Sequence, residues 1–418
     1  MIGLIIGSGI FRVPSSIAGQ VEGVGAIGLI WVLGGLVALC GALTMAELSC
    51  MFPQAGGEYV FLREGYGLLP AFLYGWTRLL LLVPTSLGAI SLIFASYLGT
   101  FLELGATGER AVAASLIVLL AALNYRSLRW SAALENIVTL AKVLALAAVV
   151  AAAFAWGDRA GGAFVGLPSF APASWTAFGL AFVTVMWAYS GWQSVAALGG
   201  EIRDPGRTVP RVLLGGMVLV ILIYAATNAA YLYVLPIAEM AASSMVAADA
   251  ATRVFGTPGA RVVAALVALA TFGAVQASLM FNPRIFYAMA TDGVLFAPIA
   301  RVHRQFLTPH IATLFTAALG IGYLSLRSFE QLAQAFVLGI WPFHILTIWA
   351  VIRLRRSQPG RARPYRTPGY PVVPAIFLIA SGAMILNALV REPWLTLFGF
   401  GLIVAGVPFY FLARRTRR

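Results

Sequence analysis

Three cations interrupt segments that are otherwise apolar: Arg12, Arg78 and Lys142. A charge at hydrocarbon depth is costly, so it pairs with another group, faces a wet cavity or takes part in transport. Lys142 stands apart by type, since it is the one lysine among 28 basic residues. A buried lysine can release its proton, whereas arginine keeps its own. Seven residues of helix, about 10 Å, separate Lys142 from Glu135, a long way for a lysine to snorkel. Lys142 is therefore a candidate coupling group, with packing of one span on another as the alternative. Arg78 reads equally as structural or functional.

Glycine-broken stretches offer a second kind of chemistry. Gly7-Ser8-Gly9-Ile10-Phe11 interrupts the first apolar segment, and Trp187-Ala188-Tyr189-Ser190-Gly191-Trp192 interrupts one near the middle of the chain. Irregular backbone is not tolerated against lipid, so such a break lines a cavity or packs closely on a neighbour. Helix ends expose N–H groups to a carboxylate and C=O groups to an ammonium. An amino acid zwitterion presents both charges a few ångströms apart. Small-residue packing is the ordinary reading of a glycine pair, in a chain with 43 Gly above all. What raises these two is their matching position in two halves of the chain, the sequence pointer to a midplane transport site.

Other chemistries find little material. His303, His310 and His344 are scattered, Cys40 and Cys50 lie ten residues apart on one apolar segment, and no HExxH, CxxC or GKS/T pattern occurs. No metal, no cofactor and no enzyme activity are expected. The start, MIGLIIGSGIF, lacks the basic region of a signal peptide.

The elements that must hold these residues are membrane-spanning helices. Hydrophobic residues make up 61% of the 418 positions, charged residues 10%, and mean hydropathy is +0.90. A soluble chain needs roughly 25% charged residues to cover its surface. A span needs about 20 apolar residues. Uncharged runs occupy 23–46, 79–102, 212–238, 262–283, 305–326, 331–352, 367–390 and 393–413, and four less clean segments fall at 1–20, 111–125, 136–157 and about 175–199. Twelve spans follow, with both termini on one side. The connections on that side carry nineteen arginines against six on the other, which places both termini in the cytoplasm. The net charge of +13 is then mainly a topology signal, and no nucleic-acid partner is expected. The run RLRRSQPGRARPYR at 353–366 is a basic cytoplasmic loop suited to anionic lipid.

With those elements in place, the chain resembles the amino acid-polyamine-organocation superfamily over nearly its whole length. The resemblance rests on IIGSGIF at 5–11, AELSCMFPQAGGEYVFLREGYG at 46–67, FLYGW at 72–76, WAYSGWQS at 187–194, EIRDPGRTVPR at 201–211 and MATDG at 289–293. VPTSLGAISLIFASYL at 83–98, ENIVTLAKVLAL at 135–146 and RQFLTPHIATLFT at 304–316 look most like the L-type amino acid transporter branch. The resemblance implies an all-α polytopic membrane protein of twelve transmembrane helices with a five-plus-five inverted repeat. Helices 1 and 6 would be discontinuous, and helices 11 and 12 additional. The units would be 1–157 (spans 1 to 5), 158–353 (spans 6 to 10) and 354–418 (basic loop and spans 11 and 12).

Carried over residue by residue, the resemblance implies a substrate site at Ile5, Ile6, Gly7, Ser8, Gly9, Ile10, Trp187, Ala188, Tyr189 and Ser190. Backbone N–H groups of Ser8, Gly9 and Ile10 would take the carboxylate. Carbonyls near Ile5, Ile6, Trp187 and Tyr189 would take the ammonium. Trp187 falls where the family places an aromatic gate, usually Phe, with plain helix packing as the other reading. Lys142 matches a proton-coupling lysine of some bacterial members and is expected between spans one, five and eight. Ser190 stands where Gly is frequent and, with the larger Trp187, leans toward a small substrate side chain. Thr291 in MATDG stands where a basic residue is common. The segment ELGATGERA at 103–111 lacks the cysteine that ties eukaryotic L-type transporters to a glycoprotein heavy chain, so no disulfide-linked heavy chain is expected.

Charges at the expected cytoplasmic ends of spans two and six supply a candidate gate, Glu47, Arg63 and Glu201, with solvated loop charges as the alternative. The seven residues before Ser8 cannot reach from a midplane break to the membrane surface, roughly 15 Å away, so a start upstream of Met1 or impaired transport is expected. The function these readings support is secondary active transport of small or neutral amino acids across the plasma membrane by alternating access. It would be coupled to protons or run as an exchange. A cationic amino acid or polyamine carrier is the alternative and would place an acid in the pocket. None lies within spans one, three, six or eight. A non-transporting sensor would need a signalling domain or long tail, which the sequence to Arg418 does not carry.

Overall fold

The structure, a computed structural model, describes residues 1–21, 23–54, 56–126, 131–157, 174–195, 202, 204–282, 285–286, 289, 292–295 and 310–415. All regular structure among them is helical. Near the N-terminus lie a short α1 (Ile2–Ile5), α2 (Gly9–Ala18) and α3 (Val24–Met51), followed by α4 (Glu58–Tyr66) and α5 (Leu68–Thr77). A π-helical stretch, Arg78–Leu82, joins α5 to α6 (Val83–Leu102). Then come α7 (Ala106–Arg126), α8 (Ser131–Trp156), α9 (Trp175–Ala188), α10 (Pro205–Val234) and a short α11 (Ile237–Ala242). The last five are α12 (Val246–Phe281), α13 (His310–Leu326), α14 (Phe329–Ser357), α15 (Val372–Arg391) and α16 (Pro393–Arg415).

Among the described residues eight helical stretches are long and apolar enough to cross a bilayer, and the stretches 142–156, 175–188 and 310–326 are shorter apolar helices. Their outward faces are apolar: Leu140, Leu222, Val262 and Ile379 are all exposed. In water that surface would be a liability, but against lipid it is the required solvent match. Trp156 ends α8, Trp175 opens α9 and Trp394 opens α16, each exposed, as the aromatic residues of a membrane interface are. This is a multi-pass membrane protein.

Small residues set the interior spacing. A Cβ on Gly34 would sit 2.7 Å from the Val185 side chain, and one on Gly35 would sit 2.5 Å from that of Ile221, so side chains of α9 and α10 pack directly onto the α3 backbone. Helix starts are signalled locally where they can be. Ser328 and Gln331 form a reciprocal capping box on α14, and Ser174 caps α9. One boundary differs from the sequence reading. The uncharged run expected at 262–283 is preceded by further helix, since α12 starts at Val246 and reaches Phe281 across a break at Gly256 (φ 68°). Arg253 and Arg261, expected in a loop, therefore lie on the helical stretches either side of Gly256, whose positive φ turns the chain between them.

Two breaks interrupt the packed spans. The first separates α1 from α2 at 6–8. The second follows α9, where Tyr189 and Ser190 form a turn, Gly191 adopts φ 124°, and 192–195 continues as a 3₁₀ turn. A side chain at Gly191 would be strained at that φ. The π stretch at 78–82 is a third irregularity, and such stretches concentrate at functional positions.

Candidate functional site

The two breaks face one another. A Cβ on Gly9 would lie 2.5 Å from Ala188 Cα, so the start of α2 touches the end of α9 backbone to backbone. Tyr224 of α10, fully buried, ties them together. Its hydroxyl lies 2.9 Å from the Ile5 carbonyl and 3.1 Å from the Ala188 carbonyl. One side chain from a third helix thus bonds the C-terminal ends of both broken half-helices. Tyr189 points the other way and donates to the Trp31 carbonyl at 2.9 Å, within an aromatic cluster of Trp31, Tyr189 and Tyr224.

The backbone polarity at the first break is open on the N–H side. Ser8, Gly9 and Ile10 make no loop or cap bond through their N–H groups among the described residues, as the first N–H groups of a helix cannot. Ser8 and Gly9, at the positive end of α2, border open space, where such a helix end favours an anion. At the second break Ser190 Oγ donates to the Met186 carbonyl (2.7 Å), and Gly191 N–H donates to Gln193 Oε1 (2.9 Å).

A cavity of about 170 Å³ lies between these ends. Of the expected site residues, Ile5, Gly7, Ser8, Gly9, Trp187 and Ser190 line it, whereas Ile6, Ile10, Ala188 and Tyr189 are buried behind the wall. On one side the cavity reaches Gly56 and Glu58, in the turn and first residue of α4. On the other it ends at Trp187, whose ring meets Phe336 edge-on at 5.0 Å and Phe329 at 6.1 Å. Past that aromatic pair, Arg12 of α2 bonds Glu330 of α14 at 2.6 Å and the Ser243 carbonyl at 3.3 Å.

Lys142 is 1% exposed, and its Nζ donates to the Gly3 carbonyl at 3.2 Å. It therefore links α8 to α1, the half-helix before the first break.

Of the expected gate residues, Glu47 and Arg63 do not bond one another. Glu47, fully buried at the end of α3, accepts from Arg355 Nε (2.8 Å) and Nη2 (2.6 Å) and from the N–H and hydroxyl of Thr367 (2.8 and 2.7 Å). Arg363 Nε stands 3.6 Å away, an ion-pair distance, while its other nitrogens cap carbonyls at the end of α14. Arg63 instead bonds Asp292 (2.8 and 3.0 Å), which also accepts from Tyr59 (2.8 Å). Glu201, like Thr291, lies outside the described residues. In this surround burial pushes the Tyr365 phenol up to about 12. Burial works to lower Arg63, but the bond and charge of Asp292 hold it above its ordinary value. Part of the basic run is engaged inside the protein: Arg355 stacks over Tyr370 (3.8 Å) and Arg361 over Phe52 (4.2 Å).

Sequence reading missed two groups. Tyr224 sits within an uncharged run, where one tyrosine among apolar residues carries no sign of what its hydroxyl reaches. Glu58 read from sequence as a charge at the end of span two, for a gate ion pair or a solvated loop, and not as a cavity wall. It is buried at the cavity wall, accepting from Thr347 (3.2 Å) and Tyr74 (3.1 Å), with His344 Nδ1 at 2.7 Å. A glutamate that opens a helix directly after two glycines was the available signal, but its partners on α14 lie 286 and 289 residues away. Among the described residues no cluster of three His, Cys, Asp or Glu side chains could hold a metal.

Residues 1–410 match the amino acid permease family. The chain belongs to that family. It is an amino acid transporter, not an enzyme. The serine/threonine exchanger SteT of Bacillus subtilis is 29% identical over 98% of this chain and 94% of its own length. The b(0,+)-type amino acid transporter 1 of Homo sapiens is 31% identical over 99% of the chain and 85% of its own. The large neutral amino acids transporter small subunit 2 of Mus musculus is 30% identical over 99% and 78%.

Proposed function

We propose that this permease binds the α-amino and α-carboxyl groups of an amino acid between the two helix breaks and moves it by alternating access. The observation that carries this reading is the cavity walled by Ser8 and Gly9 on one side and Trp187 and Ser190 on the other, with the half-helix ends tied by Tyr224. The N–H groups of Ser8, Gly9 and Ile10 receive the carboxylate. The ammonium is left with carbonyls at 5–6 and 187–189, although that of Ile5 already accepts from both Tyr224 and the Gly7 N–H.

The architecture that goes with this reading has twelve spans in two inverted halves of five, 1–157 and 158–353, and a pair at 354–418. Both termini lie in the cytoplasm of a cell whose plasma membrane holds the protein. The cavity then faces the cytoplasm past Gly56, and Trp187, Phe336 and the Arg12–Glu330 pair close the outside. Lys142 couples proton release to the hold on Gly3, or keeps α1 in place during exchange. Similarity to a serine/threonine exchanger and to neutral amino acid carriers supports small or neutral substrates. A cationic carrier finds one acid at the cavity wall, Glu58, but both of its oxygens are engaged and Arg78 lines the same wall.

Counterflow in proteoliposomes with the twenty amino acids tests the reading. Exchange with several small or neutral amino acids is expected, and absence of competition by any of them rejects it. Lys142→Ala is expected to flatten the pH profile of uptake, and an unchanged rate and profile discards the coupling role.

A further inference from the structure

Arg78 opens the π stretch in the third span, lines the cavity and is only partly exposed. Its guanidinium is held by two buried polar groups: Nη1 donates to Tyr74 Oη at 3.0 Å, and Nη2 donates to Asn282 Oδ1. The guanidinium also lies 5.5 Å from the Tyr74 ring. These contacts use two of its five donors, and Nε makes no bond. Among the described residues no carboxylate touches it. Glu58 is linked to it only through the Tyr74 hydroxyl, and the Glu58 oxygens also meet His344 and Thr347.

A cation kept at this depth beside a cavity, without a direct counter-charge, is an unfilled receptor for an oxygen acceptor. The π stretch gives a reason for its aim, since the wider turn shifts the residues of that helix face relative to a regular helix. The backbone N–H groups at Ser8–Ile10 already provide for a carboxylate at the break. What remains for the guanidinium is the far end of the bound molecule.

We propose that Arg78 is the side-chain receptor of this cavity, and that the preferred substrates are amino acids whose side chain carries an oxygen acceptor, with carboxylate bound more tightly than hydroxyl or carboxamide. This rests on the transport reading above and changes its substrate range, since an acidic side chain joins the small or neutral ones and small size alone would not separate serine from alanine. Tyr74 and Asn282 are positioning residues that fix the guanidinium plane. A purely structural Arg78 would support all substrates alike, which gives the two roles different signatures.

The test is counterflow competition with the full chain in proteoliposomes, using pairs matched in size: serine against alanine, asparagine against leucine, glutamate against methionine. The oxygen-bearing member of each pair is expected to compete at least about tenfold better, the effect of one charge-assisted hydrogen bond. Arg78→Gln is expected to shrink that ratio about tenfold, mainly through KM, and to remove any preference for glutamate. Arg78→Lys keeps the charge without the fork and should retain part of the ratio. Ligand-dependent thermal stabilisation of the same variants in detergent reads binding without flux and shows whether each is folded. Equal loss for both members of every pair, or a wild type that does not discriminate within pairs, overturns the proposal while leaving transport intact. A wild type that moves no amino acid overturns the transport reading and this inference with it.

Discussion

The two helix breaks and the charged clasp around Glu47 are both polar constructions inside an apolar protein, yet they are built in opposite ways. At the breaks the functional atoms belong to the backbone, and one neutral hydroxyl, that of Tyr224, ties the half-helices together. At the clasp the atoms belong to charged side chains, and a fully buried carboxylate meets Arg355, Arg363 and Thr367 from 308 to 320 residues away. Backbone atoms recognise what all amino acids share and can rearrange with small changes in φ and ψ. A buried ion pair is all-or-none, because removing one partner strands the other. The breaks thus suit binding and movement, and the clasp suits holding one face of the molecule in one arrangement.

The largest expected effect comes from closing the break. In Gly9→Val the new Cβ would press into Ala188, 2.5 Å from its Cα, and displace the N–H groups of the turn. Transport should fall by about 100-fold or more while the protein stays monodisperse in size-exclusion chromatography, since an ångström of misplacement at a site costs that much. Transport within a few-fold of wild type would mean that the contact between the breaks is not part of the site.

Next is the clasp. Glu47→Ala leaves Arg355 without its buried partner, which costs about 3–5 kcal/mol. A clear drop in thermal midpoint in detergent is expected, with relatively little change in KM. If KM rose instead with stability unchanged, the division between a binding region and a holding region would fail.

Tyr224→Phe should have an intermediate effect. The lost hydroxyl removes the one proton that the Ile5 and Ala188 carbonyls share, about 1–3 kcal/mol. The loss should appear mainly in transport rate, measured as initial exchange velocity. The smallest effect belongs to the pair on the other face. Arg12 and Glu330 are both partly exposed, and such pairs contribute about 1 kcal/mol or less. Arg12→Gln should leave stability nearly unchanged and modestly raise leak from that side in a flux assay.

The same contrast explains what could be read from sequence. The breaks were legible because their cause is local: Gly-Ser-Gly in one span and Ser-Gly in another announce interrupted helices whatever packs beside them. The long apolar helices were legible because hydrophobicity and length are local too. The partner of Glu47 was not, since nothing near residue 47 tells that Arg355 folds back onto it. The burial of Glu58 beside His344, and the hydroxyl of Tyr224 between two half-helices, depend likewise on contacts between distant segments. Arg12, Arg78 and Lys142 were visible as charges in apolar runs, and their partners Glu330, Asn282 and Gly3 were not. The extra helical length before residue 262 was hidden by Arg253 and Arg261, which mimic a loop although helix flanks the turn at Gly256 on both sides.

The central claim is that the two breaks recognise the α-amino and α-carboxyl groups together, and competition by blocked substrates measures that most directly. Counterflow of a labelled substrate amino acid in proteoliposomes should be inhibited by the free amino acid. Its N-acetyl derivative and its methyl ester should not inhibit at about 100-fold higher concentration, the loss expected from two charge-assisted bonds. Inhibition by either blocked form as strong as by the free amino acid would contradict the account.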